Sequence, residues 1–194
     1  MLKAILETIF EFFSSNKEDK NPPKPEVVIE NWRTKLPVHP TRKYGKRPLS
    51  RIKYLVVHQS GKYYESAETI AEYHITPGPE NHLSEKGAPG IAYHYVIERD
   101  GTIKLCNNES ALTWHCKNHN TASLGILVNG NFDGPEWKGE ELPTLEQIIN
   151  LDLLLDNLTA RYPDAEIKGH GELVKNKINC PGNRVMHELN IYRS

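Results

Sequence analysis

Two rhythms of apolar and polar residues divide the chain. Over residues 1–13, Leu2, Ile5, Leu6, Ile9, Phe10 and Phe13 recur every three or four positions, the period of one helix face. The spacing predicts an amphipathic helix that docks on the domain or on a partner, or that lies on a membrane surface; Glu7 and Glu11 disfavour an anionic membrane. SSNKEDKNPPKP has no period, and its charges and prolines predict an extended linker ending at residue 25. Residues 26–50 carry Pro37, Pro40 and Pro48 among scattered basic side chains and read as an irregular arm wrapping the domain.

From residue 51 the pattern becomes that of a compact domain running to 194. IKYLVVHQS is a short β-branched run, the mark of a buried strand, and it ends at His58. Ala67, Ile70, Ala71 and His74 share one face of a short helix. TPGPENHLSEKGAPG, residues 76–90, is too rich in Gly and Pro for either rhythm and reads as a long loop, a feature that often serves function. AYHYVIERDGTIKLC predicts a hairpin about Arg99-Asp100-Gly101, and SLGILVNG, residues 123–130, another buried strand. Thr144 and Gln147 form a capping box ahead of Ile148, Leu151, Leu154, Leu155 and Leu158, a strong helix that stops before Pro163. Residues 166–169 read as an edge strand and 183–190 as a last helix. The sum is an α/β fold: a mixed central sheet flanked by helices, with the N-terminal helix and linker (1–25) and the arm (26–50) as appendages to the domain at 51–194.

Charge changes this picture little. Lys and Arg number 24 against 25 Asp and Glu, a formal net charge of -1, so no basic stripe argues for nucleic acid. Residues 1–13 lack an uninterrupted apolar core and a small-residue cleavage site, and no stretch is long and apolar enough to span a membrane. The expectation is therefore synthesis in the cytoplasm without a signal peptide. Three cysteines do not make a disulfide framework, although a Cys106–Cys116 bridge stays open.

The nine histidines matter more. His58 stands at a strand end, where a rigid scaffold opens into a loop. Gly169-His170-Gly171 and Asn179-Cys180-Pro181-Gly182 put a second His and a thiol on turns. Two imidazoles and one thiolate are a plausible zinc set, and three protein ligands leave a fourth position for water, the catalytic pattern. A structural site would need a fourth ligand, and Cys116, His115 or His119 stand ready as candidates.

His58, AYHYVIERDG (92–101), WHCKNHNTASLGILVNGNF (114–132) and the GH…NCPG pair occur in the order found in the type 2 N-acetylmuramoyl-L-alanine amidases, and residues 51–190 resemble that family, which includes phage lysozyme-like amidases and animal peptidoglycan recognition proteins. The resemblance implies that His58, His170 and Cys180 bind zinc and that Tyr93 is the catalytic tyrosine; His94 and His74 also match family positions and read as structural. It implies hydrolysis of the amide between N-acetylmuramic acid and L-alanine in peptidoglycan or a muropeptide, with Asn120 and His115 at the substrate groove, a packing role for His115 being the alternative, and residues 76–90 as one of its walls. Cell-wall action after phage-induced lysis fits the phage members; a peptidoglycan-binding module without catalysis is the alternative, though such relatives typically lose the Cys. Two departures stand out. Ile178 occupies the place of the family's Lys, leaving Lys177 one step away as the catalytic candidate, and Leu127 replaces a Glu that some muropeptide amidases carry.

Overall fold

The computed structural model describes residues 25–62, 65–133 and 142–194; the expected helix and most of the linker in 1–25 lie outside the described residues. Six strands form one mixed sheet among them: β1 (Ile29–Asn31), β2 (Tyr54–Gln59), β3 (Tyr95–Ile97), β4 (Ile103–Leu105), β5 (Ser123–Val128) and β6 (Glu166–Gly169). Their order is β1-β4-β3-β5-β2-β6, with the β3–β4 hairpin as the one antiparallel pair in that sheet. β2 and β5 lie at the centre and are buried on both faces, which is why their sequences are apolar without alternation.

Each face has its own cover. Leu55, Val57, Leu124, Ile126 and Val128 pack against Leu151, Leu154, Leu155 and Leu158 of α2 (Leu145–Arg161) and Val185 and Leu189 of α4 (Asn183–Arg193). Val96 and Leu127 point the other way, onto Ala67, Ile70 and Ala71 of α1 (Ala67–Ile75) and onto Leu36 and Ile91. α1 and α2 both begin with capping boxes, Ser66 with Thr69 and Thr144 with Gln147, so each start satisfies its own first amides. The Glu98 carboxylate ties sheet to helix: it accepts from the Ala67 amide at 2.9 Å and from Asn129 at 2.8 Å, and pairs with Lys104 at 2.8 Å.

The arm is less irregular than its prolines suggest. Ile29–Asn31 adds the edge strand β1 beside β4, three residues too short to register as a period. Beyond it the arm is pinned by Tyr44, whose hydroxyl donates to the Gly90 carbonyl at 2.8 Å, and by the buried Arg47 guanidinium, which donates to the carbonyls of Ala111, Asn120 and Ser123. All three cysteines are free, so the open Cys106–Cys116 bridge is not formed. Among the described residues no helix is long and apolar enough to cross a membrane.

Candidate metal centre

Parity places the site. In β2 the side chains alternate, so Val57 faces α2 while Val56 and His58 face the α1 side. Register then sets His58 beside Leu127 and Val56 beside Gly125 on the same face of parallel β5. His58 is the penultimate residue of β2, at the carboxyl end of the parallel strands, where open α/β sheets build their sites.

The other two candidate ligands arrive by turns. β6 runs into the one-turn helix α3 (His170–Leu173), which starts on His170. The Gly171 amide donates to the Cys180 carbonyl at 2.8 Å, locking the two turns together. A Cβ at Gly171 would lie 2.8 Å from Lys177 and Ile178 backbone atoms, so only glycine permits this approach. Gln59 braces the loop from the β2 side, donating to the Asn179 carbonyl at 3.0 Å while accepting from the Phe132 amide at 2.6 Å.

The result is a cluster in which one ligand atom each of His58, His170 and Cys180 lie within 4.8 Å of one another. The Cys180 Sγ stands 3.8 Å from His58 Nδ1, and the His58 and His170 rings are 4.4 Å apart. Two nitrogens and a sulfur at this separation suit zinc, which takes such donors at roughly 2.0–2.3 Å. Among the described residues no fourth His, Cys, Asp or Glu joins the cluster, which leaves the candidates Cys116, His115 and His119 outside it. That is the open, three-ligand arrangement.

Tyr93 and Lys177 complete the setting. The Tyr93 ring lies 5.2 Å from the His58 ring and lines a cleft of 140 Å³ whose wall includes Tyr73, His74 and, from the 76–90 loop, His82. Burial, then the Cys180 and Glu65 charges, raise the Tyr93 phenol and keep it a proton donor at neutral pH. Ile178 is 79% exposed and turns away, whereas the Lys177 charge bears on His58, His170, Cys180 and His82.

His115 and Asn120 do not face this cleft. His115 is 6% exposed, with Nδ1 3.0 Å from His58 Nε2 and Nε2 3.1 Å from the Ser123 hydroxyl, so both ring nitrogens are engaged inside the protein. Asn120 accepts the Cys116 amide at 2.7 Å and holds its own loop in shape. The WH motif marks these residues, but nothing in it says which way the loop faces. Ser123, which orients His115, reads in sequence as an ordinary strand residue. His94 serves the sheet: its Nδ1 accepts from the Gly125 amide at 2.9 Å and its Nε2 donates to the Ala111 carbonyl at 3.1 Å.

Protonation gives the cluster a measurable signature. Burial, then the neighbouring His170 and His115, hold His58 well below its usual range; burial and the Lys177 charge bring His170 to about 4. Burial pushes the Cys180 thiol up to about 11, partly offset by the Gln59 amide and Lys177. At pH 6 both imidazoles are therefore already neutral while the thiol still holds its proton. Zinc binding should release about one proton, and affinity should rise about tenfold per pH unit, because a ligand must lose its proton to bind. Titration calorimetry in buffers of different ionisation enthalpy measures the number; release of none would remove the thiolate from the ligand set.

Comparison with known proteins gives the family. Over 97 residues, half of this chain, it is 33% identical to the endolysin of Escherichia phage T7, spanning 62% of that protein's length. Over 140 residues it is 23% identical to the peptidoglycan-recognition protein SC1a of Drosophila melanogaster, covering 71% of this chain and 72% of that one. Among solved structures, the endolysin amidase LysCS from Clostridium intestinale URNW superposes with a TM-score of 0.64 at 25% identity, over 86% of this chain and 97% of that one. The model of the N-acetylmuramoyl-L-alanine amidase family matches residues 48–183, a span that holds β2, the hairpin, β5 and all three candidate ligands, and the chain belongs to that family.

Proposed function

We propose that the chain is a zinc-dependent amidase that hydrolyses the bond between the lactyl carbonyl of N-acetylmuramic acid and the amine of L-alanine in peptidoglycan or its fragments. One observation carries the reading: a His58–His170–Cys180 cluster that no fourth His, Cys, Asp or Glu joins among the described residues, beside a cleft lined by a protonated tyrosine. Bound there, a zinc ion supplies Lewis acidity toward a carbonyl and brings the pKa of water toward ~7.

The chain's own residues do the rest. His58, His170 and Cys180 hold the ion from two strand ends and a loop braced by Gln59. As water adds to the amide carbon, negative charge grows on the carbonyl oxygen. We assign the donor to that oxygen to the Tyr93 hydroxyl, whose ring lies beside His58, and added positive charge to Lys177, which bears on His170. Collapse breaks the C–N bond; the water's OH stays on the lactyl acid and its hydrogen leaves on the alanine amine. Leu127 is buried and apolar at the position where some relatives carry Glu, so β5 offers no carboxylate to this step.

Action on the cell wall at lysis belongs to the same proposal, since the phage relatives are named endolysins. The likeness to a recognition protein covers more of this chain than the phage match does, which keeps simple binding as the second reading. Incubation of the zinc-loaded protein with sacculi and with soluble muropeptides decides between them. The expected products are free L-alanyl peptides and intact glycan, with about one zinc per chain. Cleavage of glycan or within the peptide would overturn the bond assignment, and pelleting with sacculi without product would favour the binding module.

A further inference from the structure

A neutral imidazole can bind a metal through either nitrogen, and which one is bare depends on what holds the other. In this protein the answer is written in a chain of hydrogen bonds beneath the cluster. It starts at the Ser123 hydroxyl, which lies 2.8 Å from the His119 carbonyl. A carbonyl only accepts, so the single hydroxyl hydrogen of Ser123 points there, and its oxygen must accept from His115 Nε2 at 3.1 Å. With Nε2 protonated, the neutral His115 ring presents Nδ1 as an acceptor, and the group facing it at 3.0 Å is His58 Nε2. His58 Nε2 therefore carries the hydrogen and His58 Nδ1 is bare. Nδ1 is the atom that faces the Cys180 sulfur, across 3.8 Å.

We propose that His115 is a positioning residue, held in one tautomer by Ser123, that fixes the tautomer and ring orientation of His58 for metal binding. The proposal rests on the reading of His58, His170 and Cys180 as a metal site. Two further observations show that the relay has its own supports. A Cβ at Gly125 would lie 2.6 Å from His115 Cγ and 2.7 Å from Nδ1, so the ring lies flat on a strand position that has no room for any side chain. Glycine in the middle of a central strand weakens it, and here the missing side chain is the seat of the imidazole. Arg47, itself buried, donates to the carbonyls of Ala111, Asn120 and Ser123, so both flanks of the loop carrying His115 hang from one guanidinium.

An imidazole acceptor differs from the carboxylate or carbonyl that usually holds a metal-bound histidine. Those groups accept in any state; His115 accepts only in the tautomer that Ser123 selects. The site thus depends on a hydroxyl two links away from the metal.

The test uses the full chain and reads zinc affinity by chelator competition, with activity set aside. His115→Leu removes the acceptor, and the expected result is zinc binding weaker by the ~10–100-fold typical of lost outer-shell partners. His115→Asn puts a carbonyl oxygen where Nδ1 stood and should restore affinity to within a few-fold of the native protein; a purely steric role would favour Leu over Asn. Nitrogen-15 NMR of the native metal-free protein gives the second readout, free of any question of variant folding: His58 should be protonated at Nε2 and His115 at Nε2. Equal zinc affinity in the native, Leu and Asn proteins, or the opposite tautomer at His58, overturns the proposal. Failure of the native protein to bind zinc would instead overturn the metal site on which it rests.

Discussion

Cys180→Ser should bring amide hydrolysis down to background while the protein still folds. A serine hydroxyl keeps its proton far above neutral pH, so the substitution replaces a ligand that can ionise with one that does not, and leaves two imidazoles to hold the ion. Two-ligand sites on a surface cleft are weak, and the expected zinc content of the purified variant is near zero. The fold should survive because Cys180 belongs to neither apolar cluster; the core is built from β2, β5, α2 and α4 on one face and α1 on the other. The loop around it is held by backbone and Gln59 contacts that serine leaves alone. Thermal melting of the metal-free native and variant proteins should agree to within a few degrees, the shift that ~1 kcal/mol produces in a domain of this size. Full activity with a normal zinc content would remove Cys180 from the site. Loss of the cooperative transition would mean that metal binding holds this domain together, as in small zinc-folded modules.

Most of the domain was legible in sequence, for a reason specific to each element. β2 and β5 sit at the centre of the sheet, and burial on both faces turns them into apolar runs that no exposed segment imitates. α2 announced itself twice, through the Thr144–Gln147 capping box and through a leucine stripe that meets the sheet. β1 was not legible, because three residues at a sheet edge show no alternation and depend wholly on β4 for their pairing. α3 was missed for the same kind of reason: one turn has no period, and its start is fixed by contact with the Cys180 loop.

The candidate site divides along the same line. His58 and His170 stand where a strand gives way to a turn and Cys180 sits within one, local properties, and chain order with the resemblance supplied the rest. The direction in which His115 points is not local. It follows from the empty face of Gly125 on another strand and from the grip of Arg47 on the loop flanks, and neither relation leaves a mark within a few residues of His115. Lys177 and Ile178 make the point at the scale of one residue. A 3-10 turn at Lys175–Lys177 rotates the backbone so that Ile178, in register with the family's lysine, faces solvent while the Lys177 charge bears on the cluster.

That geometry ranks the two candidate transition-state donors. Tyr93→Phe removes one hydroxyl and almost no volume, and the ring keeps its place beside His58 and in the cleft wall. Zinc affinity and melting temperature should therefore be unchanged. If the hydroxyl meets the developing oxyanion, kcat should fall by about 10²–10³, the loss seen when one such donor is removed, with KM little altered. The native phenol is raised by burial and by the Cys180 charge, so it remains a donor across the neutral and mildly alkaline range and its ionisation should not shape the pH–rate profile there. Lys177→Ala should cost less, because Lys177 is exposed and its charge reaches the site partly through solvent, where an ion is worth little. Activity should also fall with added salt in the native protein and respond less in the variant, since screening acts on a charge and not on a phenol. A kcat for Tyr93→Phe equal to the native value, with a large fall for Lys177→Ala, would transfer the oxyanion to the lysine. Equal large losses would mean that both donors meet the same oxygen, which the position of Lys177 one residue from the family's lysine makes the stricter outcome to look for.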